Sequence, residues 1–188
     1  MTKPEFRFAD RKDSELILKF IKDLAEYEKM SDLVVATKEQ LEEEIFGKKR
    51  AEVLFVMEDG LEVGFALFFH NFSTFLGRAG LYLEDLFVLP EFRGKGYGKA
   101  TLKKLAQIAV ERGCGRFEWR CLDWNKPSFD FYLSLGAEPM SEWTTYRVTG
   151  EKLLELAKEE GSRKQSMRLA DFPNSSLSES LFWMYSDL

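Results

Sequence analysis

The stretch LYLEDLFVLPEFRGKGYGKA, Leu81 to Ala100, passes from an apolar strand through a turn to the start of a helix. The turn carries Arg93, Gly94, Gly96 and Gly98. Glycines let the backbone approach an anion closely, and the first N–H groups of a helix have no intrahelical partner. A strand that feeds such a turn onto a helix is therefore an anion cradle. The spacing is not the GxGxxG of a dinucleotide fold. It is not a P-loop either, because Gly-Lys-Ala replaces Gly-Lys-Ser/Thr and the four-residue gap is absent. What remains is R-x-x-G-x-G behind a strand bearing Glu84 and Asp85. Neighbours on a regular strand point to opposite faces, so only one of these carboxylates meets a cleft unless a bulge intervenes. A phosphate-rich ligand beside a candidate general base points to an enzyme that uses a nucleotide-bearing cofactor.

The remaining composition narrows the class. The chain has 188 residues, enough for one domain with a real core, and 45% are hydrophobic against 31% charged. Net charge is −5, from 27 basic and 32 acidic residues, which gives no electrostatic reason to expect nucleic acid or an anionic membrane as partner. No secretory apolar segment precedes Cys114 and Cys121, and no apolar run is long enough to span a bilayer, so a reduced, cytoplasmic protein is expected. Neither cysteine has a metal-type neighbour and His70 is the single histidine, so no metal site is expected.

The chain order reads as follows. Glu5–Ala9 is a short strand, and Asp13 or Ser14 caps a helix whose apolar face runs from Leu16 to Tyr27. Thr37 and Gln40 form a capping box for a second helix ending near Gly47. Two strands flank Glu58-Asp59-Gly60 as a hairpin, and Gly77–Gly80 turns into the Leu81–Leu89 strand. A helix from Gly96 to Gly113, a strand Arg116–Leu122, a helix capped by Asn125 and ended by Gly136, a strand Trp143–Val148 and a helix over 150–160 complete the body. This is an α/β domain over 1–160 with a mainly antiparallel mixed sheet flanked by helices. Residues 161–188 form a Ser-rich extension with the cluster Leu181, Phe182, Trp183, Met184 and Tyr185, expected to dock on the domain or on a partner subunit.

Several motifs in one order resemble a known family. The Arg93–Gly98 turn resembles the acyl-CoA-binding pattern of the GNAT superfamily of N-acetyltransferases. Tyr82–Val88, Asp123–Ser128, Phe131-Tyr132 and Gly136-Ala137 are similar to its diamine (spermidine/spermine) and thialysine N-acetyltransferase branch, as is Tyr27-Glu28. The resemblance covers roughly residues 4–160 and implies the GNAT fold, with its central strands splayed apart.

That resemblance implies direct acetyl transfer from acetyl-CoA, the co-substrate, to a primary amine of a small diamine or lysine-like acceptor. An ammonium must lose a proton before it attacks, and the family pattern assigns that base to Glu84. It assigns the proton donor for the leaving thiolate to Tyr132, and the oxyanion to a backbone N–H near Phe87 or Val88. Arg93, Gly94, Lys95, Gly96, Tyr97, Gly98 and Lys99 would hold the pyrophosphate, with Arg93 or Lys95 adding charge. Leu86, Phe87 and Val88 would pair with the pantetheine amides, opposite Asn125, Pro127 and Ser128. Tyr27, Glu28, Glu84, Asp85 and Glu142 would meet the acceptor, and a homodimer is implied. The glutamate-rich turn of the polyamine enzymes is short here, and Leu122–Asn125 is closer to the thialysine pattern. A protein N-terminal or lysine acetyltransferase and a non-catalytic CoA-binding module are the other readings.

Overall fold

The computed structural model describes residues 3–158. They belong to two compact units, Met1–Asp130 and Phe131–Leu188, each taken by itself below. The division expected at Gly161 and the aromatic extension beyond it lie outside the described residues.

In the first unit, β1 (Glu5–Phe8), β2 (Glu52–Glu58), β3 (Leu61–Ser73), β4 (Arg78–Val88) and β5 (Phe117–Trp119) form one sheet in sequence order. The first three pairings are antiparallel and β4–β5 is parallel. The β2–β3 turn takes the expected form: Asp59 and Gly60 both have positive φ, as a two-residue hairpin requires. The parallel partner must come back by a crossover, and α3 (Tyr97–Glu111) supplies it.

Each face of the sheet is sealed by one helix. Phe55, Phe65 and Phe87 lie side by side across β2, β3 and β4. Together with Ile17 and Phe20 of α1 (Ser14–Tyr27) they form the main core, where the Phe20 and Phe65 rings stack at 5.3 Å. Val56 and Val63 pack with Tyr97 in a second, smaller cluster. Asp13 precedes α1 and fastens it to the sheet, accepting from Arg7 Nη1 at 2.7 Å while Arg7 also donates to Glu62 at 2.6 Å. The Thr37–Gln40 capping box is present and starts α2 (Lys38–Leu41), which passes into a wider π-type turn over Glu42–Gly47. Asn125 caps α4 (Lys126–Ser134) through its side-chain oxygen, 3.4 Å from Ser128 N.

In the second unit, Gly136 ends the helical segment with φ +84°, and Thr149 precedes α5 (Gly150–Leu156). The strand expected over Trp143–Val148 is not formed: no ladder includes these residues, and Trp143 and Tyr146 are 71% and 90% exposed. Apolar alternation marks residues able to extend, but a strand exists only where a neighbouring strand accepts its hydrogen bonds. β5 is likewise shorter than the Arg116–Leu122 reading.

Candidate active site

Pairing between β4 and β5 stops at Leu83 and Trp119, whereas β4 runs on to Val88. From Glu84 to Val88 the β5-facing edge of β4 thus has no strand neighbour among the described residues. An open edge inside a sheet leaves backbone donors and acceptors available to an extended ligand. Phe87 anchors this segment in the core, and Leu86 and Val88 are partly buried beside it.

A bulge sits at the top of that opening. Leu67 pairs with Asp85 and Phe68 with Leu83, so Glu84 is an extra residue on β4. Counting by twos from Tyr82 puts Glu84 on the α1 face of the sheet. Counting back by twos from Phe87 puts Asp85 on that face as well. The sequence contains no sign of this bulge, and a regular strand would have separated the two carboxylates. Glu84 is exposed and Asp85 is partly buried. Burial, and then the negative charges of Glu84 and Glu28, push the Asp85 carboxyl up to about 7. Glu28, just past the end of α1, is also raised, by desolvation. Glu28 further acts, after burial and Asp123, to raise the Cys121 thiol, so its carboxylate addresses both β4 and the chain beyond β5.

The glycine turn follows directly. Gly94 and Gly96 have φ of +77° and +86°, and a Cβ at Gly94, Gly96 or Gly98 would meet no atom within 4 Å. The surface above the turn is thus open, with the N-terminus of α3 behind it. No acidic residue occupies the first turn of α3, which leaves its dipole free for an anion. Lys99 is exposed in that turn. The other two basic side chains are engaged within the protein. Arg93 Nε donates to Val88 O at 2.9 Å, and its guanidinium lies 4.4 Å from the Tyr27 ring and 5.3 Å from Phe87. Lys95 Nζ lies 3.1 Å from both oxygens of Glu58, which also accepts from the Tyr97 hydroxyl. Glu58 escaped the sequence reading because it ends a strand nearly forty residues upstream and looks like an ordinary hairpin residue.

Tyr27, Glu28, Glu84, Asp85, Arg93 and Phe87 are therefore joined through contacts or fields on one side of β4. Asn125, Pro127 and Ser128 form the first turn of α4 and its cap. Tyr132 and Glu142 belong to the second unit; Tyr132 is partly buried with its ring 5.4 Å from Phe131, and Glu142 is exposed.

The chain also matches known proteins. Residues 18–137 match the acetyltransferase (GNAT) family. The chain belongs to that family. It is 40% identical over 163 residues to thialysine N-epsilon-acetyltransferase of Sus scrofa, covering 80% of this chain and 95% of that protein. It is 36% identical to the Mus musculus enzyme of the same name, covering 84% and 99%. Among solved structures, a Vibrio cholerae integron cassette protein superposes with a TM-score of 0.70 at 27% identity, covering 85% of this chain and all of that one. The chain is thus an N-acetyltransferase with the GNAT fold, and GNAT acetyltransferases use acetyl-CoA in general. Among the described residues no helix is long and apolar enough to cross a membrane.

Proposed function

We propose that this protein transfers the acetyl group of acetyl-CoA to a primary amine of a small diamine or lysine-like acceptor. The observation that carries the reading is the Glu84–Asp85 pair, set at a β-bulge between the open edge of β4 and Glu28. The turn residues fit the co-substrate: uncrowded glycines, a bare helix N-terminus and a free strand edge suit a pyrophosphate with an amide-bearing arm. When bound, acetyl-CoA supplies an activated thioester carbonyl.

The chain's own residues do the rest. Glu28, Glu84 and Asp85 attract an ammonium group. Its proton passes to the Glu84–Asp85 pair, directly or through water, and Asp85 is the member held near neutrality. Glu84 then plays the role that the family resemblance implies, with Asp85 as a working partner. The amine would then attack the thioester carbonyl and the C–S bond would break; in the role that the family resemblance implies, Tyr132 would protonate the leaving thiolate and be reprotonated by the second proton that the nitrogen sheds. Backbone N–H groups of Leu86–Val88 would receive the carbonyl oxygen and the arm of the co-substrate. Arg93 holds Val88 O and supports Tyr27, so it acts on the cleft walls more than on phosphate. Pyrophosphate charge then falls to Lys99, to the backbone and to whatever share Glu58 leaves of Lys95. By the family resemblance, Asn125, Pro127 and Ser128 would form the far wall, and Glu142 is the acceptor-binding residue that the same resemblance implies.

The relatives named for thialysine support a lysine-like acceptor. An Arabidopsis thaliana protein named for L-ornithine is 41% identical over 102 residues, 54% of this chain and 45% of that protein, and supports the same choice. A free-thiol assay with acetyl-CoA and a panel of thialysine, lysine, ornithine, spermidine, putrescine and peptide N-termini tests it. Thiol release with lysine-like acceptors or diamines is expected. Release above hydrolysis with none of them would refute it, and release only with peptides would move the acceptor to a protein. By the same resemblance the enzyme works as a cytoplasmic homodimer, which light scattering on the full chain and fractionation would check.

A further inference from the structure

We propose that Tyr82, its hydroxyl held by Arg120, is the positioning residue that orients the Glu84 carboxylate toward the incoming amine. The inference rests on the acyl-transfer reading of the β4 cleft and adds to it the group that steadies its base.

A proton acceptor on an exposed side chain must be aimed. Glu84 is the extra residue of the bulge, its side chain is exposed, and no hydrogen bond holds it among the described residues. A glutamate of this kind has several staggered rotamers open to it, whereas a base works only within hydrogen-bond reach of the proton it takes. A donor that selects one rotamer raises the rate and leaves cofactor binding alone.

Tyr82 is placed to be that donor. It precedes Glu84 by two residues on β4, so their backbones are at most about 7 Å apart, and both stand on the α1 face. Its ring is half-buried and lies 5.1 Å from that of Phe69, the residue it pairs with on β3. Arg120, just past the end of β5, holds its guanidinium 5.9 Å from the Tyr82 ring centroid and hydrogen-bonds the hydroxyl. A guanidinium only donates, so the phenol oxygen accepts there and its own proton points elsewhere. Accepting a charged hydrogen bond also makes the phenol a stronger donor.

Two carboxylates compete for that proton. Burial raises the Tyr82 hydroxyl first, Arg120 opposes this, and the charges of Glu84 and then Glu118 add to the rise, so both acids act on the phenol. Glu118 is already engaged: its Oε2 accepts from Asn71 Nδ2 at 2.8 Å and stands 2.8 Å from Arg116 Nε. Glu84 acts on Tyr82 ahead of Glu118 and has no donor of its own. The unspent phenol proton and the unheld carboxylate therefore belong together.

The test separates aim from packing. Tyr82→Phe removes the hydroxyl alone. It should lower kcat about tenfold with KM for acetyl-CoA unchanged, and lower it no further in a Glu84→Gln background. Arg120→Met should lower kcat in the same way, and Arg120→Lys, which keeps the charge and a donor, should recover most of the loss. The phenol itself gives a reading that needs no turnover. By 13C NMR of the hydroxyl-bearing ring carbon, with Tyr82→Phe to assign it, the Tyr82 ionisation midpoint should fall by about 0.5 in pH or more in Glu84→Gln and rise in Arg120→Met. Equal fractional losses from Tyr82→Phe with and without Glu84 would overturn the assignment even with acetyl transfer intact. So would a midpoint that moves in Glu118→Gln but not in Glu84→Gln. Absence of turnover with every amine would instead defeat the underlying reading. Should Tyr82→Phe fail to fold, Arg120→Met, at an exposed position, takes its place in the same cycle with Glu84→Gln.

Discussion

Asp85 combines a cost and a use. A carboxyl group ordinarily ionises near 4, but in this fold it does so near 7, because it is desolvated beside Glu84 and Glu28. Only the deprotonated group accepts a proton, so kcat/KM for the amine should climb with pH along a limb centred near 7. Asp85→Asn should remove that limb and lower turnover by about 10²-fold or more, as pH-rate profiles of the two proteins would reveal. Stability runs the other way. Between the ordinary carboxylate range and about 7 the native protein holds a proton that the unfolded chain has released, so stability falls as pH rises through that window. Asp85→Asn should therefore melt higher than the wild type at pH 8 and show little difference at pH 4. A variant that loses activity and gains stability at high pH is the signature of a functional carboxylate held against its own solvation. A melting difference that does not vary with pH would count against it.

At the scale of elements, the cofactor-side turn is held from outside by β2. Glu58 sits at the end of that strand and receives both Lys95 and the Tyr97 hydroxyl, so one carboxylate fastens the glycine turn and the first residue of α3. Glu58→Gln keeps an acceptor but loses the ion pair. It should weaken binding of CoA several-fold by calorimetry, with a smaller effect on a pantetheine thioester that lacks the pyrophosphate. Equal weakening of both would place the effect elsewhere. Local signals made much of this region legible in advance. The Asp59-Gly60 hairpin, the Thr37–Gln40 box, the Gly96 start of α3 and the Asn125 cap each depend on residues within a few positions of one another. What escaped depends on partners distant in sequence. The bulge at Glu84 arises from register against β3, Glu58 meets its partners across 37 and 39 residues, and the length of β5 is set by where β4 stops pairing. The Arg93 and Lys95 side chains could be placed in the right turn, but not followed to Tyr27 and Glu58.

Across the first unit, the core and the cleft share a residue. Phe87 is 4% exposed, its ring lies 6.4 Å from Phe20 in an edge-on arrangement, and the Arg93 guanidinium lies 5.3 Å from the centroid of the same ring. The same residue thus closes the core under α1 and holds the segment whose free edge faces the co-substrate. Phe87→Ala would leave a cavity beside Phe20 and Phe65 and remove one of the two rings that support Arg93. Truncations of this kind cost about 3–5 kcal/mol, which urea unfolding would measure. Phe87→Leu keeps most of the volume but not the aromatic face, so it should cost about 1 kcal/mol and leave the fold populated. In that second variant the core is nearly restored while Arg93 has lost part of its seat. If the rigid core positions the cleft, Phe87→Leu should raise KM for acetyl-CoA and for the amine together, because Arg93 joins Val88 O on one side to Tyr27 on the other. If Phe87 serves packing alone, both constants should stay at the wild-type value once the loss of stability is offset by working at lower temperature.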